Sequence, residues 1–157
     1  MGAWDAILYN PTFAHAPGTF RLAVLHDVSI TLNRRFSVRG NLNDLTWAIE
    51  LLQAAVAATP VDDPHGPQYR NTLGTLLQQR YLHTGALADL DTAITLTQAA
   101  LDAVAADPDA SSNLADYRTN LSSYLSDRYT HTRNAADLNR AVDLAQAAVD
   151  LTPAHTS

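Results

Sequence analysis

Apolar residues return every three or four positions through most of this chain. Leu45, Ala48, Ile49, Leu52, Ala55 and Val56 follow a 3-4-3-4 spacing, one stripe of a helix. Leu90, Ala93, Ile94, Thr97, Ala100, Leu101 and Val104 write the same stripe again, and Leu138, Ala141, Val142, Ala145, Ala148 and Val149 write it a third time. A second kind of helix precedes each stripe, over 20–35, 68–83 and about 115–131. In the first of these, Phe20, Leu22, Ala23, Val24, Leu25, Val28, Ile30 and Leu32 are dense enough to predict a helix sandwiched on all sides. No stretch alternates with period two, so no sheet is expected and the chain reads as all-α.

Punctuation falls between these segments. Gly40-Asn41 and Gly85 mark turns, and the third turn is Arg133-Asn134, where Asn134 is expected to take the left-handed conformation glycine takes elsewhere. Asp44, Asp89 and Asp137 are expected N-caps of the striped helices. Pro60, Pro64, Asp107-Pro108-Asp109 and Pro153 close them.

The same words recur at a fixed offset. Tyr69-Arg70, Arg80-Tyr81, Asp89-Leu90 and Ala99-Ala100 return 48 residues later as Tyr117-Arg118, Arg128-Tyr129, Asp137-Leu138 and Ala147-Ala148. Looking backwards, Arg35-Phe36, Gly40, Asp44-Leu45 and Ala48-Ile49 precede their counterparts by 45. One offset shared by many positions is an internal repeat. Each unit is a helical hairpin, and successive hairpins bury their stripes by stacking. The expected organisation is an N-terminal cap or arm over 1–18, with Trp4, Ile7, Leu8 and Tyr9, followed by a repeat domain over 19–157. Its hairpins fall at about 20–60, 65–107 and 114–153.

Composition narrows the function. Net charge is −6, against nucleic acid and anionic membrane surfaces. There is neither cysteine nor lysine, which removes disulfides, thiolate sites and Schiff-base chemistry. The Asp-rich, Ala-rich composition reads as GC-biased coding. No apolar run is of membrane-span length and no signal peptide is visible, so a cytoplasmic location is expected.

The repeat resembles the tetratricopeptide family. Leu73-Gly74 sits at that family's Leu-Gly pair, Ala93 and Ala100 at its small positions, and Pro60 and Pro153 at its terminal proline. The period is longer than the family's usual one. It is similar to long-period arrays with an R-[FY]-x-x-[TR]-G-x-x-x-D-L-x-x-A-[IV] core, found in bacterial and fungal proteins that often carry a CHAT-type caspase-like protease domain. Residues 35–49 and 80–94 fit that core, and 128–142 fits except at Asn134. Val28-Ser29 and Leu121-Ser122 replace Leu-Gly, with a side chain still small. The resemblance implies a right-handed α-solenoid of three stacked helix-turn-helix repeats. It implies no protease activity, since the protease domain is not in this chain. The family's carboxylate clamp needs lysine, which disfavours acidic peptide tails as partners.

The resemblance also implies a concave face lined by the first helix of each hairpin. Carried over from Leu73-Gly74, a partner-binding face would present His26, Asn33 and Arg34 from the first hairpin and Gln68, Asn71, Thr75, Gln78 and Gln79 from the second. The third would add Asp116, Thr119, Ser123, Ser126 and Asp127. Such a polar face suits a peptide backbone or a helix. Its bland alternative is a solvated helix face. His83 and His131 share a repeat position and read as loop packing, not as metal ligands. The Arg35/Asp44, Arg80/Asp89 and Arg128/Asp137 pairs recur in every unit, which marks them as structural. No Gly-x-Ser-x-Gly elbow, phosphate loop or dinucleotide fingerprint occurs. No catalytic residue, metal or cofactor is expected, and the leading expectation is a scaffold for a protein or peptide partner. The alternatives are a self-assembling module, joined through its terminal repeats or N-terminal arm, and a small-molecule or enzymatic accessory protein.

Overall fold

The structure is a computed structural model and describes residues 3–8, 10–105 and 111–151. Tyr9, Asp107-Pro108-Asp109 and Pro153 lie outside the described residues. Every regular element among the described residues is a helix: α1 (Ala3–Leu8), α2 (Pro11–Ala14), α3 (Gly18–Arg39), α4 (Leu42–Ala58), α5 (Gly66–Thr84), α6 (Leu87–Ala105), α7 (Ser111–Thr132) and α8 (Ala135–Val149). They pack as adjacent pairs. None of them is long and apolar enough to cross a membrane. The chain forms two compact units, 1–63 and 64–157.

In the first unit α3 and α4 form a hairpin around Leu22, Val28, Leu32 and Phe36 on one side and Leu45, Ala48, Ile49, Leu52 and Ala55 on the other. The predicted all-round burial of α3 does not occur. Phe20 is 56% exposed, and Ala23 and Thr31 face solvent, so α3 has a wet face despite its apolar density. Ahead of it, the Asn10 side chain accepts from Thr12 N and caps the single turn of α2.

In the second unit α5 pairs with α6 and α7 with α8, while α7 also lies against α6 and touches α5. Tyr69, Leu73, Leu76, Leu77, Leu90, Ala93, Ile94, Tyr117, Leu121, Tyr124 and Leu125 form its core.

The hairpin turns correct two expectations. The N-cap of α4 is Asn41, whose side chain accepts from Asn43 N, and that of α8 is Asn134, which accepts from Ala136 N. Asp44 and Asp137 therefore stand three residues into their helices, not at the cap. There the acid still meets the positive end of the helix, but its oxygens turn to arginine. Arg35 Nε and Nη2 donate to Asp44 at 2.6 and 2.5 Å, Arg80 to Asp89 at 2.7 and 2.6 Å, and Arg128 to Asp137 at 2.9 and 2.7 Å. This fork closes each hairpin by tying the end of one helix to the start of the next. The Arg35 hydrogen bond holds the Asp44 carboxyl below the usual carboxylate range.

The second correction concerns the left-handed residue. Gly40 at φ 68° and Gly85 at φ 72° end α3 and α5 as expected. In the third hairpin Arg133 holds that conformation, at φ 59°, while Asn134 is extended at φ −73°. Arg133, not Asn134, is also the residue that departs from the repeat core, since it stands where Gly40 and Gly85 stand. Its guanidinium lies 5.8 Å from the centroid of the Tyr129 ring.

The Leu-Gly position shows why small residues recur there. A Cβ on Gly74 would stand 2.5 Å from Thr97 Oγ1, 3.3 Å from the Ala93 carbonyl and 3.3 Å from the Tyr124 ring. At the matching position of the next hairpin, Ser122 Oγ donates to the Ala141 carbonyl at 2.7 Å. Ala141 is the counterpart of Ala93, so serine uses as an acceptor the carbonyl that glycine merely clears. In the first hairpin Ser29 donates to its own helix, to Leu25 O at 2.7 Å.

Candidate functional site

Helices α5 and α7 present neighbouring polar rows within the second unit, and five of the predicted partner-binding residues meet there. Gln78 Nε2 donates to Ser123 Oγ at 2.9 Å and to Asp127 Oδ2 at 2.6 Å. Thr75 Oγ1 lies 3.0 Å from the Tyr124 hydroxyl. Asn120 Nδ2 donates to Asn71 Oδ1 at 3.1 Å. These contacts step along both helices at intervals of three and four, the spacing that keeps side chains on one face. Asn71, Thr75, Gln78, Asn120 and Asp127 are half-buried, while Ser123 is exposed.

Asn120 and Tyr124 belong to this row and were missed from sequence. Tyr124 stands at the repeat position of Leu76, which reads as core. It is core, 1% exposed, yet its hydroxyl serves the polar row. Burial pushes the Tyr124 phenol up to about 12, opposed by its hydrogen bond to Thr75 and by the neighbouring Thr97 hydroxyl. Thr97 Oγ1 is fully buried with no hydrogen-bond partner among the described residues. Burial likewise raises the Tyr117 phenol, with Asp116 adding to it.

The other predicted positions scatter. Gln68, Asp116 and Thr119 are exposed and flank the row; Ser126 and Gln79 are half-buried, and Gln79 Oε1 is buried without a partner. The Thr119 hydroxyl is turned back to Ala115 O at 2.8 Å. His26, Asn33 and Arg34 are in the first unit. His26 is a correction: it is 6% exposed and belongs to the interior of its unit, because the apolar density of α3 draws it in. Asn33 is half-buried with Oδ1 unpartnered, and Arg34 is exposed.

The remaining candidate chemistry is structural. His83 Nδ1 lies 2.9 Å from the Gln79 carbonyl of its own helix. Arg128 reaches past Asp137 to Asp91 of α6 at 2.9 Å, and its hydrogen bond to Asp137 is the main cause that raises its pKa. Arg140 of α8 hydrogen-bonds Gln98 of α6. No group of three metal-ligating side chains gathers among the described residues.

No family model, curated protein or solved structure matches the chain.

What the α5–α7 row can do follows from its unused atoms. An amide side chain has two donors and two acceptor lone pairs. Asn71, Gln78 and Asn120 each spend one end on a neighbour, and the other end of each has no partner among the described residues. The row therefore offers a donor at Asn71 Nδ2 and acceptors at Asn120 Oδ1 and Gln78 Oε1.

Proposed function

We propose that the chain is a non-catalytic helical-repeat scaffold that binds a protein or peptide segment on the polar face of α5 and α7. The finer fold reading belongs to the same proposal: a tetratricopeptide-like, right-handed α-solenoid of three helix-turn-helix repeats. The Arg–Asp fork at every hairpin turn and the small residue at every helix crossing support it.

One observation carries the binding reading. Asn71 and Asn120 are fixed by a hydrogen bond to each other and Gln78 by its bonds to Ser123 and Asp127, yet each keeps a spare donor or acceptor. A peptide backbone offers the matching set of N–H and C=O groups. Side chains already held in one rotamer lose less entropy on binding than free ones. Exposed Gln68, Asp116, Thr119 and Ser123 border the row and would discriminate among side chains of the ligand. The charged groups of the interior are engaged in hairpin closure, which leaves them poorly placed for acid–base work.

Selection of displayed peptides on the immobilised protein tests this. Selected peptides should bind the wild type in the micromolar range and lose at least about tenfold on an Asn71→Ala/Gln78→Ala variant. Selected peptides that bind both proteins equally would refute the assignment.

A further inference from the structure

The exposed apolar residues of α8 lie on one stripe: Leu138 is 38% exposed, Val142 59% and Val149 65%, with Ala145 exposed between them. Their counterparts 48 residues earlier on α6 are Leu90, Ile94, Thr97 and Leu101, exposed by 0, 6, 0 and 8%. The two helices are otherwise alike. Each turns Asp89 or Asp137, Ala93 or Ala141, and Ala100 or Ala148 inward against its own hairpin partner. What α6 has in addition is α7, seated across α5 and α6 through Asn120 on Asn71, Tyr124 on Thr75 and Arg128 on Asp91. The stripe on α8 is thus the receiving half of the α6–α7 interface, left open. The cleft beside it, about 230 Å³ between Thr119, Ser122, Ala145, Ala148 and Val149, is the counterpart of the notch that Tyr124 occupies.

The inserting half of that interface is also open elsewhere in the chain. On α7 it starts one turn after exposed Asn113 and runs through Tyr117, Asn120 and Tyr124. The equivalent positions on α3, 93 residues earlier, are Phe20, Val24, Asp27 and Thr31. Phe20, Asp27 and Thr31 are exposed and Val24 is half-exposed. Phe20 is the one exposed aromatic residue among the described residues.

We propose that the α8 stripe docks α3 of a second copy of this chain. The contact repeats between molecules the one that α7 makes on α5 and α6 within a molecule. It joins two different surfaces, so it is heterologous, and each added copy presents a fresh receiving stripe. Thr31 stands in for Tyr124 and fills the notch only in part, so the contact is weaker than the internal one, with a dissociation constant on the order of 10 µM. This surface shares only Thr119 with the border of the α5–α7 row, and the inference stands or falls without that row.

The test is light scattering coupled to size exclusion on the full chain, from about 10 to about 300 µM, a range spanning that constant. Wild type should gain mass with concentration. Phe20→Asp and Val142→Asp/Val149→Asp, all at exposed positions, should each be monomeric. Their equimolar mixture should form a heterodimer and stop there, because only one compatible pair of faces remains. Thermal melts within a few degrees of wild type show that the variants fold. A wild type that stays monomeric throughout overturns the proposal. So does a Phe20→Asp variant that still associates, since α8 would then pair with itself or with the 1–18 arm. A variant mixture that forms no heterodimer overturns it too.

Discussion

The Tyr124 hydroxyl lies 3.0 Å from the Thr75 hydroxyl, across 49 residues of chain. The same ring stands 3.3 Å from the place a Cβ would occupy on Gly74. One side chain thus closes the helix crossing of the preceding hairpin and supplies a hydroxyl to the polar row. Removing the ring should cost about 3–5 kcal/mol, as for other buried aromatics. Tyr124→Phe, which keeps the ring, should cost about 1 kcal/mol through the lost hydrogen bond to Thr75. Urea denaturation of the two variants measures the difference.

The same phenol makes stability depend on alkali. Its folded pKa is raised from 10.0 to about 12. A raised folded pKa means the folded state holds the proton more tightly than the unfolded chain. The contribution is full below pH 10 and is lost as pH rises towards 12. A two-unit shift corresponds to roughly 3 kcal/mol. Chemical denaturation between pH 9 and 12 should show stability falling for wild type, and falling less for Tyr124→Phe.

Gly74 and Thr97 should be coupled. An alanine at 74 places its Cβ 2.5 Å from Thr97 Oγ1, so Gly74→Ala should destabilise by about 1–3 kcal/mol. The next hairpin carries the opposite choice, Ser122 with Ala145 at the matching positions. Thr97→Ala should therefore recover at least half of the loss. A double-mutant cycle that comes out additive would disprove the coupling.

Arg133→Gly should stabilise the protein. A left-handed residue with a Cβ costs about 1–2 kcal/mol, and the lost contact with Tyr129 returns about 0.5 kcal/mol at an exposed site. A net gain near 1 kcal/mol, read from melting curves, is expected.

Breaking the hairpin fork should be costly in each unit. Asp89 is 8% exposed and receives two hydrogen bonds from Arg80. Asp89→Ala should cost about 2 kcal/mol, in line with paired hydrogen bonds to a charged group. For Asp44, whose pKa is lowered by Arg35, the contribution holds above pH 3.8 and fades as pH falls through the lower folded value.

Helix type and the pairing of neighbouring helices were legible in the sequence, because helical periodicity and turn residues are local signals. The recurrence of Arg35/Asp44, Arg80/Asp89 and Arg128/Asp137 was legible too, and nine-residue spacing across a turn was enough to pair them. The cap was misread at Asp44 and Asp137, because Asn41 and Asn134 compete with the acids for that position and only backbone geometry shows which one wins. The left-handed residue was misplaced for the same reason. Two members of the polar row, Asn120 and Tyr124, escaped notice because they take their partners from 49 residues away. His26 looked like a surface residue because its type is polar, yet its unit buries it.

By itself the sequence determined an all-helical chain of recurring hairpins, since the spacing of apolar residues and the turn chemistry act within one or two helical turns. Only the tertiary structure decided which stripe is covered. Leu90 and Leu138 are the same residue at the same repeat position. One is fully buried and the other 38% exposed, because burial depends on whether another helix lies against that face.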